Sequence, residues 1–465
     1  MTDPGPEIQM AEERLDKNTR LLYRTLIRVA LPIALQSLIG SSLNLVDNMM
    51  VGSLGEEPLA AVGVGVQIFL IFWMICYGFC SGCATFMAQF WGTEDLPHIR
   101  KTIGFAVMCC TGVGLFFALA GFFAPETIMR IFTNIPEIID IGVPYIKICS
   151  PCFLCTAICV PFETALRATQ QTHIPLFVSI AVFSTNTFLN YVFIFGSFGA
   201  PRMGVAGAAL ATTIARVVQL IAILCVVFVR KNKIAGRLSE YFGWHKEFVV
   251  RVVKNSIPTT FNEMLWALGF SMYVAAFARI GATEYAAVQA SNTIQNLLQM
   301  AGFSIGDALL ILVGQRLGEG KLDEAYGLAK RLLRIAVFVG LAFGGLLILV
   351  AKPLLGLFAF TPEGNRYAFF ILVVYGATMV FTLYNGINVT GVLRCGGDTR
   401  FAMFIDVGSV WCIGVPLAFL SALVFHWPIY FCVLAVKIEE MTKCGILTWR
   451  FLSRKWVRNV IHDID

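Results

Sequence analysis

Long apolar runs alternate along this chain with short polar stretches rich in Lys, Arg, Gly and Pro. About 20 mostly apolar residues in helical form cross a hydrocarbon core roughly 30 Å thick. That ruler predicts twelve spans, at residues 27–50, 59–85, 103–124, 139–163, 174–196, 203–229, 249–275, 287–313, 331–355, 368–391, 401–425 and 428–449. Six precede a basic segment and six follow it. The expected organisation is an arm (1–26), an N-terminal lobe (27–229), a linker (230–248), a C-terminal lobe (249–449) and a tail (450–465).

The two halves repeat each other. Shifted by 226 residues, the stretch from Pro32 to Gly92 lies on Pro258 to Gly318 without a gap. Gly55 then falls on Gly281, Ala60-Ala61-Val62 on Ala286-Ala287-Val288, and Gln89 and Gly92 on Gln315 and Gly318. At a shift of 227, Leu166-Arg167 falls on Leu393-Arg394 and Thr172 on Thr399. An even number of spans per half makes the repeat direct. Two like lobes facing each other across a cavity are a transporter's plan. The fold class expected is therefore an all-α membrane protein of two pseudo-symmetric six-helix lobes.

Composition supports this. Of 465 residues, 57% are hydrophobic and only 14% charged, and the mean hydropathy is +0.75. Basic residues concentrate in the even connections, as in Arg100-Lys101 and Arg230-Lys231, and at both ends of the chain. The odd connections hold isolated ones such as Arg130 and Arg202. By the positive-inside rule both termini are expected in the cytoplasm, with the chain in the plasma (inner) membrane. Topology thus accounts for the net charge of +6, and no nucleic-acid partner is expected. Residues 1–20 carry no secretory signal pattern.

Several chemistries drop out. The 14 cysteines show neither metal-ligand nor disulfide spacing and sit among apolar residues. There is no Walker-type phosphate loop, the five histidines are scattered, and the connections are too short for an enzyme domain. No cofactor and no enzymatic activity are expected; transport would be driven by an ion gradient, of protons or sodium, or would run downhill.

Ionisable groups inside spans are costly and mark function by default. Asp47 stands in the outer half of span one with no Lys or Arg within a helical turn. Such a carboxylate must be protonated, or must face water or a cation. Asn186 and Asn190 share a face of span five, and Thr212 interrupts a small-residue run in span six. Together these four form a candidate cation-coupling cluster, open to a proton or sodium. Glu263 in span seven lies ten positions earlier in its half than Asp47, about 15 Å nearer the cytoplasm. With Asn262, Asp307, Tyr384, Asn385 and Asn388 it makes a candidate C-lobe surface for substrate or cation. Asp406 is expected to pair with Arg394 or Arg400, Glu163 with Arg167, and Glu439 with Lys443.

Four segments carry a family likeness. They are Val46 to Gly52, Pro258 to Trp266, Met203 to Thr212 and Gly391 to Thr399. In this order on a 6+6 chain they resemble the multidrug and toxic compound extrusion (MATE) transporters over essentially the whole length. The resemblance implies two lobes forming a V that rock between inward- and outward-open states. It implies proton or sodium antiport expelling organic cations or amphipathic compounds, by a protein expected to be monomeric in the bilayer. It also implies an N-lobe site at Asp47, Asn186, Asn190 and Thr212, and a C-lobe role for Glu263. Position 190 is Asn where one branch has aspartate, and span ten lacks the acid another branch carries. Fewer fixed charges favour the proton over sodium. Two other readings remain, a lipid-linked sugar flippase of the same superfamily and a non-transporting receptor or scaffold. The flippase would need a strongly basic cavity, for which Lys147, Arg216, Lys437 and Lys443 are the few candidates.

Overall fold

The computed structural model describes residues 6–356 and 361–462, with side chains from Arg24 onward. Residues 1–5 of the expected arm and 463–465 of the expected tail lie outside the described residues. Every regular element described is helical. The N-terminal half holds α1 (Pro6–Gly52), α2 (Glu56–Gly92), α3 (Leu96–Phe123), a short α4 (Pro125–Phe132), α5 (Pro136–Ala168), α6 (His173–Phe195) and α7 (Val205–Leu224). The second half holds α8 (Lys246–Phe277), α9 (Ala282–Gly318), α10 (Leu322–Leu355), α11 (Pro362–Ile387), α12 (Thr399–Ser409), α13 (Val415–Phe419) and α14 (Ile429–Leu452). Span eleven is α12 and α13, joined and followed by π-helical turns at Val410–Gly414 and Leu420–Val424. Another π-helical turn, Asn388–Leu393, ends span ten.

Among the described residues, ten helical segments are long and apolar enough to cross a membrane. The other two predicted spans correspond to α8 and α14, which have 32 and 24 residues. Both are long enough, but α8 carries Arg251, Lys254 and Glu263, and α14 carries Lys437, Glu439, Glu440 and Lys443. Their charge is a clue to what they do. At the N-terminus, α1 runs unbroken from Pro6, with no boundary at residue 26.

Each half has its own apolar core, and the two exchange ends. Leu26, Val29, Ala30 and Ile33 of α1 pack into the core of the second half. Phe248 and Val252 of α8 pack into that of the first. Val252 is the repeat partner of Leu26, so the exchange is symmetric.

The halves meet at the end of the molecule that bears the basic connections. Thr259 Oγ1 donates to the Gly78 carbonyl (2.7 Å) and Asn255 Nδ2 to that of Gly82 (2.9 Å). Thr85 Oγ1 donates to the Arg394 carbonyl (2.8 Å) and Gln89 Nε2 to that of Cys395 (2.8 Å). The duplicated Gln-x-x-Gly segments form the tightest contact. A Cβ on Gly92 would overlap the Gln315 carbonyl oxygen, and one on Gly318 would overlap that of Gln89. Residues 456–462 then cross this seam. Trp456 is fully buried in the second half, the Val460 amide donates to Gln89 Oε1 (2.8 Å), and Asn459 Nδ2 donates to the Gly318 carbonyl (3.2 Å). The last described residues are thus a strap rather than a free tail.

Because backbone meets backbone at both glycines, a larger residue must part the helices. Gly318→Leu is expected to disfavour the closed seam by about 1–3 kcal/mol, a population shift of roughly five- to 150-fold. Spin-label distances between positions 93 and 321 should lengthen; an unchanged distance distribution would count against this seam.

Candidate functional site

The four N-lobe candidates come together. Asn186 and Asn190 lie one turn apart on α6 and face α1 and α7. Asn190 Nδ2 donates to Asp47 Oδ1 and to Asn186 Oδ1 (3.0 Å). Asn186 Nδ2 in turn donates to Thr212 Oγ1 (3.2 Å). Asn190 is fully buried, yet its Oδ1 has no donor. A buried acceptor without a partner is expensive, and here it stands beside a carboxylate that could carry a hydrogen.

Asp47 lines a cavity of about 90 Å³ between α1, α2, α5, α6 and α7. Its walls include Asn44, Phe69, Tyr145, Phe153, Asn186 and Thr212. Tyr145 reaches the cavity because residue 65 is glycine, where a Cβ would clash with its ring. One further wall residue is of consequence, Arg216 on α7, which the sequence offers as a basic group inside a span but does not place beside Asp47. No basic residue lies near Asp47 in sequence, but the fold brings this guanidinium into the same cavity, close enough to act on the Asp47 charge. It sits over the Phe69 ring, 5.2 Å from the centroid, and donates to Gln219 Oε1 (2.8 Å). Thr213, next to Thr212, turns away and donates to the Ile148 and Ala209 carbonyls.

The C-lobe candidates do not form one surface. Glu263 accepts from Arg394 Nη2 (2.6 Å), and Arg394 also donates to Ser81 Oγ across the seam (2.7 Å). Arg394 is therefore taken, and the pairing expected between Asp406 and Arg394 or Arg400 is not what forms. Asp406 instead accepts from Lys443 Nζ (2.9 Å) on α14 and from Asn262 Nδ2 (3.0 Å). Asn385 donates to Glu440 Oε2 (2.6 Å), and the Tyr384 hydroxyl meets Thr448 Oγ1 (2.9 Å). Asn388 is buried at the start of the π-helical turn. Asp307 on α9 lies within electrostatic reach of Arg167, Arg394 and Glu263, at the seam. The Glu439–Lys443 pair is present at 3.8 Å. Glu163 and Arg167 are 4.0 Å apart, bridged by Gln36, which accepts from Arg167 (2.8 Å) and donates to Glu163 (3.3 Å).

An arginine placed this way repeats in both halves. Arg167 and Arg394, equivalent by duplication, each bond to the first helix of their own half, at Gln36 and Glu263. Ser81 and Asp307 are likewise equivalent at the 226-residue shift. Ser81 bonds to the arginine of the opposite half, and Asp307 lies within electrostatic reach of both arginines.

Two like halves, a wall-lined carboxylate and a seam closed at one end define an integral membrane transporter. The chain belongs to the MATE family, whose MatE profile matches residues 32–192 and again 258–420. Both matches start at the prolines that anchor the repeat. The Bacillus subtilis relative described as "Uncharacterized transporter YisQ" is 24% identical over 89% of this chain and 90% of its own. "Probable multidrug resistance protein NorM" of Thermotoga maritima is 23% identical over 95% and 94%. "Multidrug resistance protein MdtK" of Edwardsiella ictaluri is 24% identical over 86% and 88%. Among solved structures, the fold matches an outward-facing MATE multidrug resistance transporter with a TM-score of 0.83 at 18% identity, covering 93% of this chain and 97% of the other. It matches an MOP-superfamily transporter from Pyrococcus furiosus with a TM-score of 0.83 at 17% identity and the same coverage.

The Arg394–Glu263 pair offers a direct check on these contacts. Removing one member of a buried pair typically destabilises by about 3–5 kcal/mol, because the other charge is left without a partner. Arg394→Met should lower the unfolding temperature in detergent, and the double variant Glu263→Gln/Arg394→Met should recover much of the loss. Equal loss in single and double variants would show that the pair does not act as a unit.

Proposed function

We propose that this protein is a proton-coupled antiporter that exports organic cations or amphipathic drugs by alternating access. The observation that carries this reading is the Asp47 cavity, a half-buried carboxylate beside an orphaned Asn190 oxygen and aromatic walls. Protonated, Asp47 would offer an O–H donor in a setting short of donors and would lose its charge. Ionised, it attracts a cationic cargo. One group can therefore hold cargo or a proton but not both, which is the logic of exchange.

Arg216 favours the proton over sodium. A sodium ion would need several oxygens at close range, and in this cavity it would also meet a fixed guanidinium. A proton on Asp47 adds no extra cation to the cavity. The basic end, assigned to the cytoplasm by its Lys and Arg residues, is closed by the Gly92–Gly318 seam. The cavity would accordingly be reached from the outer side. Proton uptake there would release cargo, and proton loss on the other side would let the next cargo bind. The scarcity of basic groups around the cavity speaks against a flippase for lipid pyrophosphates.

The test is efflux of ethidium from proteoliposomes under separately imposed proton and sodium gradients. Transport driven by the proton gradient alone is expected, with loss of at least about a hundredfold in Asp47→Asn, the scale of removing a group that acts in proton transfer. Dependence on sodium would replace the proton reading. No transport under either gradient would remove the drug-export reading.

A further inference from the structure

Among the described residues, the densest buried group of charges lies away from the Asp47 cavity, deep in the second half. Lys443 Nζ on α14 is 2.9 Å from Asp406, 3.7 Å from Glu440 and 3.8 Å from Glu439. All four residues are buried. Only Asp406 is close enough for a full hydrogen bond with the ammonium, so the two glutamates share what remains of its charge. Lys437, the other lysine of α14 on this side, stacks on Tyr375 of α11, its Nζ 5.1 Å from the ring centroid. Even with both lysines counted, three carboxylates face two ammonium groups. The neighbouring Glu263–Arg394 pair on α8 and span ten is balanced and contributes no net charge. An unbalanced buried negative charge is the arrangement a low-dielectric interior tolerates least.

The cluster's hydrogen bonds leave acceptors without donors. From α8, Tyr273 donates to Glu439 Oε2 (2.8 Å) and Asn262 donates to Asp406 (3.0 Å). From α11, Asn385 donates to Glu440 (2.6 Å). Yet Asn262 and Asn385, 4% and 2% exposed, each have an Oδ1 that receives no hydrogen bond. Both amides are already fixed against cluster carboxylates by their other end. The cluster has oxygens in excess and hydrogens in deficit. The site is also built to be close: Gly414, in the π-helical turn of span eleven, leaves the room that Tyr273 and Glu439 occupy, since a Cβ there would overlap the Tyr273 hydroxyl.

We propose that Asp406, Glu439 and Glu440, gathered around Lys443, form a second proton-binding site, in the C-terminal lobe, whose ligand proton resides on the Glu439–Glu440 pair. A proton there forms one O–H bond and brings three carboxylates and two ammonium groups to neutrality, in a cluster whose two anchoring amides already show a shortage of hydrogens. A metal ion is disfavoured because the ammonium already occupies the centre of the oxygens. The site needs only the buried geometry; its role in transport rests on the antiport reading above, and there it makes two protons, one per lobe, the capacity of a cycle.

Infrared spectroscopy of the full-length protein in lipid nanodiscs, without cargo or gradient, tests the site separately from transport. A protonated-carboxyl band at neutral pH is expected in the wild type and in Asp47→Asn. It should be lost or at least halved in Glu439→Gln or Glu440→Gln. These variants keep the shape of the neutral acid and are expected to fold, with thermal unfolding as the control; Lys443→Met, which removes the counter-charge, should strengthen the band. A band absent from the wild type, or unaltered in both glutamine variants, overturns the proposal whether or not ethidium is transported. If transport is proton-driven, protons moved per ethidium should fall roughly twofold in Glu439→Gln, as one of two titrating sites is lost; an unchanged ratio would deny the site its part in coupling.

Discussion

The expense of an unpaired charge in hydrocarbon organises this protein more than any other constraint. Few charged residues are admitted to the spans, and nearly every one described has an identifiable partner. Arg394 is divided between Glu263 and Ser81, Asp406 between Lys443 and Asn262, and Glu163 between Gln36 and Gln219. What stands out is where pairing stops short. Asp47 faces a cavity with an orphaned amide oxygen beside it, and three carboxylates crowd one ammonium in the second half. Paired networks hold the helices in register; the two carboxylate sites short of hydrogens are where an added proton changes the energy most.

Duplication supplied the frame on which these sites diverged. The paired arginines Arg167 and Arg394 kept their positions, each reaching the first helix of its own lobe. Their partners drifted, to Gln36 in one lobe and Glu263 in the other. Across the seam the equivalent positions 81 and 307 became serine and aspartate. The result is a contact that is symmetric in backbone and asymmetric in charge. The cavity and the Lys443 cluster have no counterpart in the opposite half by sequence: Asp47 aligns with Tyr273, itself a donor to Glu439. One ancestral position thus became a carboxylate facing a cavity in one lobe and a phenol serving carboxylates in the other.

Much of this was legible in the chain. Helix number, repeat register and the Asp47–Asn190–Asn186–Thr212 grouping follow from apolar run length, gapless anchors and the four-residue spacing on one helix face. Charge partners across the fold were not legible. Asp406 had Arg394 and Arg400 nearby in sequence, but Lys443, 37 residues away, reaches it because α12 and α14 pack together. Asp47 seemed to stand alone because Arg216 arrives from another helix. Nor did local patterns reveal that α1 and α8 exchange ends between the two cores, since a buried valine reads alike in either.

The seam at Gly92 and Gly318 has a further implication. It is formed by main chain against main chain, with no titrating group at the point of closest approach. The glycine contact itself therefore carries no charge for acidity or ionic strength to act on; any such sensitivity at the seam belongs to Arg394 and its neighbours. A motion that parted the glycines would have to act mechanically, by tilting whole helices from sites far along their length. The contact works as a fulcrum, and the chemistry sits out on the arms.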